Sequence, residues 1–183
     1  VAVAPATFTL LGRRFVARGS FLTFERAYYL APNGRWTARD IIHHPGSAAI
    51  VPWDGTRVHL VRQYRAPLQG ALLELPAGKL DVTGEAPADA ARRECEEELG
   101  LRPGHLTLLH VAYTSPGFTD ELTWVYLAED LAEVPAAPQG IEEAAAVTVA
   151  LTLDQARALL DDGSLRDAKT ILGLQALLRR LRR

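Results

Sequence analysis

One short stretch constrains this chain more than any other. From Pro87 to Leu99 the residues follow a helical pattern, opened by a proline in the first turn and closed by Gly100. On a helix of 100° per residue, with Glu94 at 0°, Glu98 falls at about 40° and Glu97 at about −60°. These three share a face roughly 100° wide, while Glu96 points away at about 200°. Ala91, Cys95 and Leu99 form an apolar stripe beside them, so the carboxylates border the face that such a helix buries. Like charges at these spacings cost a few tenths of a kcal/mol each on an exposed helix, and more at the edge of a core. The helix alone leaves two readings open: a solvated acidic face, or a site for a hard divalent cation.

The surrounding charge sharpens the question. Residues 74–101 hold eight acids against three bases, a net −5 in 28 residues, although the whole chain of 183 residues carries only −2. The other 155 residues therefore carry +3, so an acidic knot sits within a mildly basic body. A balance this close to neutral argues against a nucleic-acid binder. No apolar run approaches the ~18 residues of a membrane span, and the N-terminus lacks the pattern of a signal peptide. Cys95 is the one cysteine, which suits a reducing cytoplasm.

Along the chain, the first ~45 residues read as strands, with Ser20–Leu30 and Arg35–His43 paired around Pro32-Asn33-Gly34, a strong hairpin signal. Strand patterns follow over 46–53, 57–65 and 72–75, the last running into Pro76-Ala77-Gly78. After the acidic helix, strands are expected over 106–113 and 121–128, flanking a loop at 114–120. A connector at 135–140, a strand over 145–151 and two helices over 153–161 and 167–181 complete the reading. Strands and helices mix without regular βαβ alternation, so the class is α+β. The expected division is an N-terminal β-hairpin region over 1–45 and a main domain over 46–183. The basic tail at 177–183 suits a helix C-terminus, and the five histidines show no metal spacing.

The residues flanking the acidic helix match a known pattern. Gly78-Lys-Leu-Asp-Val-Thr-Gly-Glu85, then seven residues, then Arg93-Glu-Cys-Glu-Glu-Glu-Leu-Gly-Leu101 resembles the Nudix box. It departs only by one extra residue between Gly78 and Glu85, placed in the loop before the helix. The resemblance implies an α/β/α sandwich with a mixed sheet, and a loop–helix–loop that binds Mg²⁺, or possible Mn²⁺ in its place. It implies substrates that are nucleoside diphosphates linked to another group. It makes Glu94, Glu97 and Glu98 the metal ligands, with the carbonyl of Ala77 beside them. Glu85 and Arg93 become an ion pair holding loop to helix, although spacing alone equally allows Arg93 a surface pair with Asp89 or Glu97. Gly78 and Gly100 are structural, and Cys95 is a core residue.

Two further segments resemble the ADP-ribose pyrophosphatase branch of that family. One is Leu72-Leu-Glu-Leu-Pro-Ala-Gly78 with Leu60-Val-Arg-Gln-Tyr-Arg65 ahead of it. The other is Ser115-Pro116-Gly117-Phe118-Thr119-Asp120-Glu121, whose Pro116 stands fifteen residues beyond Leu101. This likeness implies ADP-ribose as substrate, cleaved to AMP and ribose 5-phosphate, with Pro116 and Phe118 on the substrate side. It implies a catalytic glutamate near 142–143, Glu142 aligning better than Glu143, with Glu121 as runner-up. Arg65 is the favoured anion-binding residue, with Arg62 and Arg39 behind it. Trp36 is a candidate to stack on adenine, or an edge-strand tryptophan at an interface. Relatives of this branch are homodimers with exchanged N-terminal strands. The rival readings are hydrolysis of other nucleoside diphosphate sugars or dinucleoside polyphosphates, and a non-catalytic ADP-ribose sensor.

Overall fold

The computed structural model of the chain describes residues 7–182. They divide into two compact units. One runs to Gly46 and takes in Tyr113–Leu122; the other holds Ser47–Ala112 and the chain from Thr123 onward. The segment 113–122 thus clusters with the N-terminal strands, although in sequence it lies far from them.

The first unit is an antiparallel sheet of β1 (Thr9–Arg18), β2 (Thr23–Leu30) and β3 (Trp36–His43), in that order. The β2–β3 hairpin turns at Pro32-Asn33-Gly34, where Gly34 takes φ 78°. The loop after Tyr113 is tied to β3: Ile42 N donates to the Phe118 carbonyl at 2.8 Å, and Asp120 N donates to the Ile42 carbonyl at 3.3 Å.

The second unit begins with β4 (Ser47–Pro52), β5 (Arg57–Arg65), β6 (Gly70–Glu74) and β7 (Ala77–Lys79), then α1 (Pro87–Leu99). It continues through β8 (Leu101–Tyr113), β9 (Leu122–Glu133), α2 (Ile141–Ala144), β10 (Val147–Thr152), α3 (Leu153–Asp161) and α4 (Ala168–Arg180). A four-stranded sheet runs β7-β4-β9-β8, with β4 and β9 parallel and β4 and β7 antiparallel; a three-stranded antiparallel sheet runs β10-β5-β6. The sheet is mixed and the class α+β, as the sequence predicts.

Alternation along β4 and β9 builds a core on both faces. Ala49, Val51, Val125 and Leu127 join Leu60, Leu75, Ala156, Leu174 and Leu177, packing against α3 and α4. Ala48, Ile50, Tyr126 and Ala128 face the other way onto Ala90, Ala91 and Cys95 of α1. Ala48 through Val51 are wholly buried, so β4 is the central strand between two helical layers.

Several boundaries differ from those the sequence suggests. β7 forms just past the strand expected over 72–75, because residues 77–79 pair with 47–49. β8 begins at Leu101, five residues early, despite Pro103 and Gly104; it lies at the sheet edge, where a proline without an N–H is tolerated. The acids at 142–143 sit on a short helix, α2, rather than an open loop. Among the described residues no helix is long and apolar enough to cross a membrane.

Candidate active site

α1 is positioned at both ends by local chemistry. Pro87 stands in its first turn, and Gly100 closes it at φ 66°, donating back to the carbonyls of Glu96 and Cys95. A side chain at Gly100 would also meet the Val134 carbonyl at 2.7 Å. Burial of Ala90, Ala91 and Cys95 against β4 and β9 then sets the rotation of the helix. Cys95 is wholly buried and burial pushes its thiol up to about 12, so it is a packing residue and no nucleophile.

That rotation turns Glu94 inward, where it is 7% exposed. Its carboxylate lies against the backbone of Gly78 in β7 so closely that an added Cβ there would stand 1.8 Å from Oε1. Arg93 gathers the acids around it. Its Nε and Nη2 donate to the two Glu85 oxygens at 2.9 and 3.0 Å, and Nη1 donates to Glu94 Oε1 at 2.6 Å and Glu97 Oε2 at 3.1 Å. The hydrogen bond to Glu85 leads in raising the Arg93 pKa above the ordinary arginine value. The extra residue of the box is absorbed before the helix, where Gly84 adopts φ 81° and Glu85 N donates to the Val82 carbonyl at 3.1 Å.

Glu98 is the residue whose environment asks for a cation. Burial, followed by the charges of Glu94 and Glu143, pushes its pKa up to about 8; the Arg65 charge and a hydrogen bond from the Ala77 backbone act against this. Its Oε2 is buried without a hydrogen-bond partner. Burial likewise raises Glu94, against the attraction of Arg93. Among the described residues no three such side chains are already drawn together as an ion cage, and the guanidinium of Arg93 stands between Glu94 and Glu97. An all-oxygen donor set with an orphaned buried carboxylate oxygen suits a hard divalent cation.

Of the two acids on α2, Glu143 is the one whose charge is felt by both Glu94 and Glu98. Its carboxylate accepts from the backbone N–H groups of Gln139 and Gly140, at 2.7 and 3.3 Å. Glu142 is exposed. The preceding segment touches α1 directly: Ala137 N donates to the Glu97 carbonyl at 3.1 Å, and Gln139 Nε2 reaches Glu97 Oε1 at 3.4 Å.

Arg65 is engaged in a way the sequence conceals. Its Nε and Nη2 both donate to the Glu74 carboxylate at 2.6 Å, and Glu74 is only 1% exposed. Lys169 Nζ lies 3.9 Å from Glu74 and 2.8 Å from Asp167, the N-cap of α4. Asp167 accepts from Thr170 Oγ1 at 2.6 Å, and Thr170 Oγ1 accepts from Leu75 N at 2.7 Å. Glu74 lies within the Leu72–Gly78 segment but carries no assigned role there, and Lys169 lies outside every motif. An acid inside the apolar run Leu-Leu-Glu-Leu, and one of only two lysines in a chain with eighteen arginines, were the available signals. Arg62, by contrast, is exposed.

The remaining candidates lie in the first unit. Arg39, Pro116 and Phe118 line a cleft of about 450 Å³ together with Tyr29, Asp40 and Ile41. Arg39 Nη1 is held by Thr37 Oγ1 at 2.6 Å and the Ala38 carbonyl at 2.8 Å. Trp36, the first residue of β3 and paired with Leu30, is 71% exposed. Glu121 accepts from Thr114 Oγ1 at 2.6 Å. His43 braces the same loop, with Nδ1 2.6 Å from Asp120 and Nε2 3.1 Å from Glu25.

A mixed sheet lies between helical layers, with a glycine-backed acidic helix on one face whose oxygen donors suit a divalent ion. The NUDIX domain model matches residues 43–172, and the chain belongs to the Nudix family, whose hydrolases depend on divalent metal ions. It is 39% identical over 147 residues to an ADP-ribose pyrophosphatase of Bacillus subtilis (strain 168), covering 80% of this chain and 79% of the relative. It is 36% identical over 148 residues to an ADP-ribose pyrophosphatase of Mycobacterium tuberculosis (strain ATCC 25618 / H37Rv), covering 80% and 71%. A crystal structure of an ADP compounds hydrolase shares the fold with a TM-score of 0.86, at 23% identity over 99% of this chain and 97% of that one.

Proposed function

We propose that this chain hydrolyses the pyrophosphate of ADP-ribose to AMP and ribose 5-phosphate, with Mg²⁺ as the working metal and Mn²⁺ as a substitute. The observation that carries the reading is the buried, unpartnered oxygen of Glu98, set among the charges of Glu94 and Glu143 on a Nudix helix. Likeness to two ADP-ribose pyrophosphatases supports the choice of substrate.

Glu94, Glu97 and Glu98, with the Ala77 carbonyl, are the proposed metal donors. A bound divalent ion would neutralise the pyrophosphate and lower the pKa of the attacking water. In the reaction, the water oxygen bonds to one phosphorus, the bridging P–O bond breaks, and the bridging oxygen leaves with the other phosphate. Glu143 is the proposed acceptor of the water's proton, because its charge reaches Glu94 and Glu98; Glu142 and Glu121 are the alternatives. Arg93 holds the acids in register through Glu85, and Arg65 is proposed to receive a phosphate, with Arg62 further out.

In the first unit, the cleft carrying Arg39, Pro116 and Phe118 has the size and the mixed aromatic and cationic lining of a nucleoside site. Trp36 offers an open stacking face. The exposed apolar side chains of β1, among them Leu11 and Phe15 at 58% and 61% exposure, support a homodimer through this unit. The buried lone thiol accords with a cytoplasmic setting.

The test is product analysis of ADP-ribose incubated with the pure protein, with Mg²⁺ and with chelator, beside GDP-mannose and diadenosine polyphosphates. Metal-dependent AMP and ribose 5-phosphate, with ADP-ribose best by kcat/KM, is the expected result. Faster turnover of another panel member would replace the substrate and keep the metal site. Binding of ADP-ribose without turnover would make the protein a sensor.

A further inference from the structure

Resting on the functional reading above, we infer that Glu74 and Lys169 are positioning residues, which together hold the Arg65 guanidinium in place to receive the substrate's pyrophosphate. Arg65 is partly exposed beside the acidic helix, yet two of its three nitrogens are bound to a carboxylate buried to 1% exposure. A paired arginine is ordinarily neutralised by its partner and makes a poor anion receptor. Here the partner is shared. Lys169 Nζ lies 3.9 Å from Glu74 Oε2, so two cations flank that carboxylate and its charge is divided between them.

Lys169 is itself fixed from behind. Asp167 holds Nζ at 2.8 Å through Oδ1, while its Oδ2 accepts from Thr170 N and Oγ1 at 2.8 and 2.6 Å as the cap of α4. The negative charge of Asp167 therefore faces the positive end of a thirteen-residue helix. Glu74 takes Nε and Nη2 of Arg65, and Nη1 has no hydrogen-bond partner among the described residues. The fork is thus locked on one edge and open on the other, which is what preorganised recognition of a phosphate oxygen needs. A lysine suits position 169 because a compact ammonium fits between two carboxylates where a planar guanidinium would not.

The same network reaches the metal side of the site. Leu75 N donates to Thr170 Oγ1, which anchors the chain two residues before Ala77 to the first turn of α4. Substitutions that act only through folding would move stability and every kinetic constant together; a positioning role predicts a specific loss in anion recognition that runs through Arg65.

The experiment is a double-mutant cycle between Arg65→Lys and Lys169→Met on the full chain with Mg²⁺. It reads KM and kcat for ADP-ribose, the dissociation constant of inorganic pyrophosphate by calorimetry, and the melting temperature. Lys169→Met alone should weaken pyrophosphate binding and raise KM by about tenfold or more, with a smaller change in kcat. In the Arg65→Lys background that loss should shrink to about twofold or less, while any stability loss persists. Glu74→Gln, which keeps shape and one acceptor, should reproduce the KM effect if Lys169→Met folds poorly. Equal losses in both backgrounds, or pyrophosphate affinity indifferent to Lys169 and Glu74, would overturn the inference. Lys169-dependent pyrophosphate binding without ADP-ribose turnover would leave it standing and sink the functional reading instead.

Discussion

Gly78 offers a direct way to move the Glu94 carboxylate, a proposed metal donor, by a known amount. A Cβ at this position would stand 1.8 Å from Glu94 Oε1, 1.9 Å from Cδ and 2.6 Å from Cγ. To recover an unstrained separation of ~3.5 Å, the Glu94 carboxylate must retreat by roughly 1.7 Å. It is 7% exposed and bound to Arg93, so it cannot yield without breaking that contact. Displacement of a reacting or ligating group by about 1 Å costs on the order of a hundredfold in rate. Gly78→Ala should therefore lower kcat for ADP-ribose by about a hundredfold and weaken Mn²⁺ binding, measured by paramagnetic titration. Overpacking should cost about 1–3 kcal/mol, and a chain of this size loses roughly 2–4 °C of melting temperature per kcal/mol. Glu94→Ala removes the obstructing atoms, so in that background Gly78→Ala should be nearly neutral for stability. Wild-type kcat and Mn²⁺ affinity in Gly78→Ala, or a stability loss that survives Glu94→Ala, would refute the reasoning.

Glu98→Gln should lower turnover by at least about a hundredfold without lowering the melting temperature in chelator, since one buried oxygen of this carboxyl has no hydrogen-bond partner and burial disfavours its charge; the same variant should lose the stabilisation that Mg²⁺ gives the wild type, read by calorimetry. Arg93→Lys surrenders the paired bonds to Glu85 while keeping a charge, so unfolding free energy in denaturant should fall by about 1.5–3 kcal/mol, with an unchanged midpoint sinking the assignment. His43 is raised above the usual imidazole value, first by its hydrogen bond to Asp120, against burial, with Glu25 adding. Its stabilisation of the first unit should be complete below the unfolded pKa of about 6.5 and be lost as pH climbs through the raised folded value; ring titration by NMR, with His43→Gln lacking that pH dependence, checks the sign.

Much of this molecule is written in local chemistry. The limits of α1 follow from Pro87 and Gly100, and the shared face of Glu94, Glu97 and Glu98 follows from 3.6 residues per turn. The hairpin at Asn33-Gly34 and the capping of α3 by Thr152 and Gln155 are equally local. Each is set within about four residues, the range over which backbone geometry and side-chain reach act without knowledge of the rest of the chain. The family signature is likewise one contiguous stretch, 78–101, which is why it could be read.

What the sequence could not display is which distant groups share a charge. Arg65 looks like a free hook until β5 and β6 pair and bring Glu74, nine residues on, into its fork. Lys169 and Thr170 enter only when α4 packs onto the strand corner at Leu75, 95 residues away from Thr170 in sequence. Glu142 and Glu143 are neighbours with the same chemistry, and only the short turn of α2 leaves one exposed and directs the charge of the other toward Glu98. Pairing, burial and electrostatic coupling are properties of the packed interior, where a low dielectric makes each partner matter and where sequence separation is no guide to distance. Spacing along one helix therefore put Glu94, Glu97 and Glu98 on one face, and the tertiary structure alone decided which charges surround them.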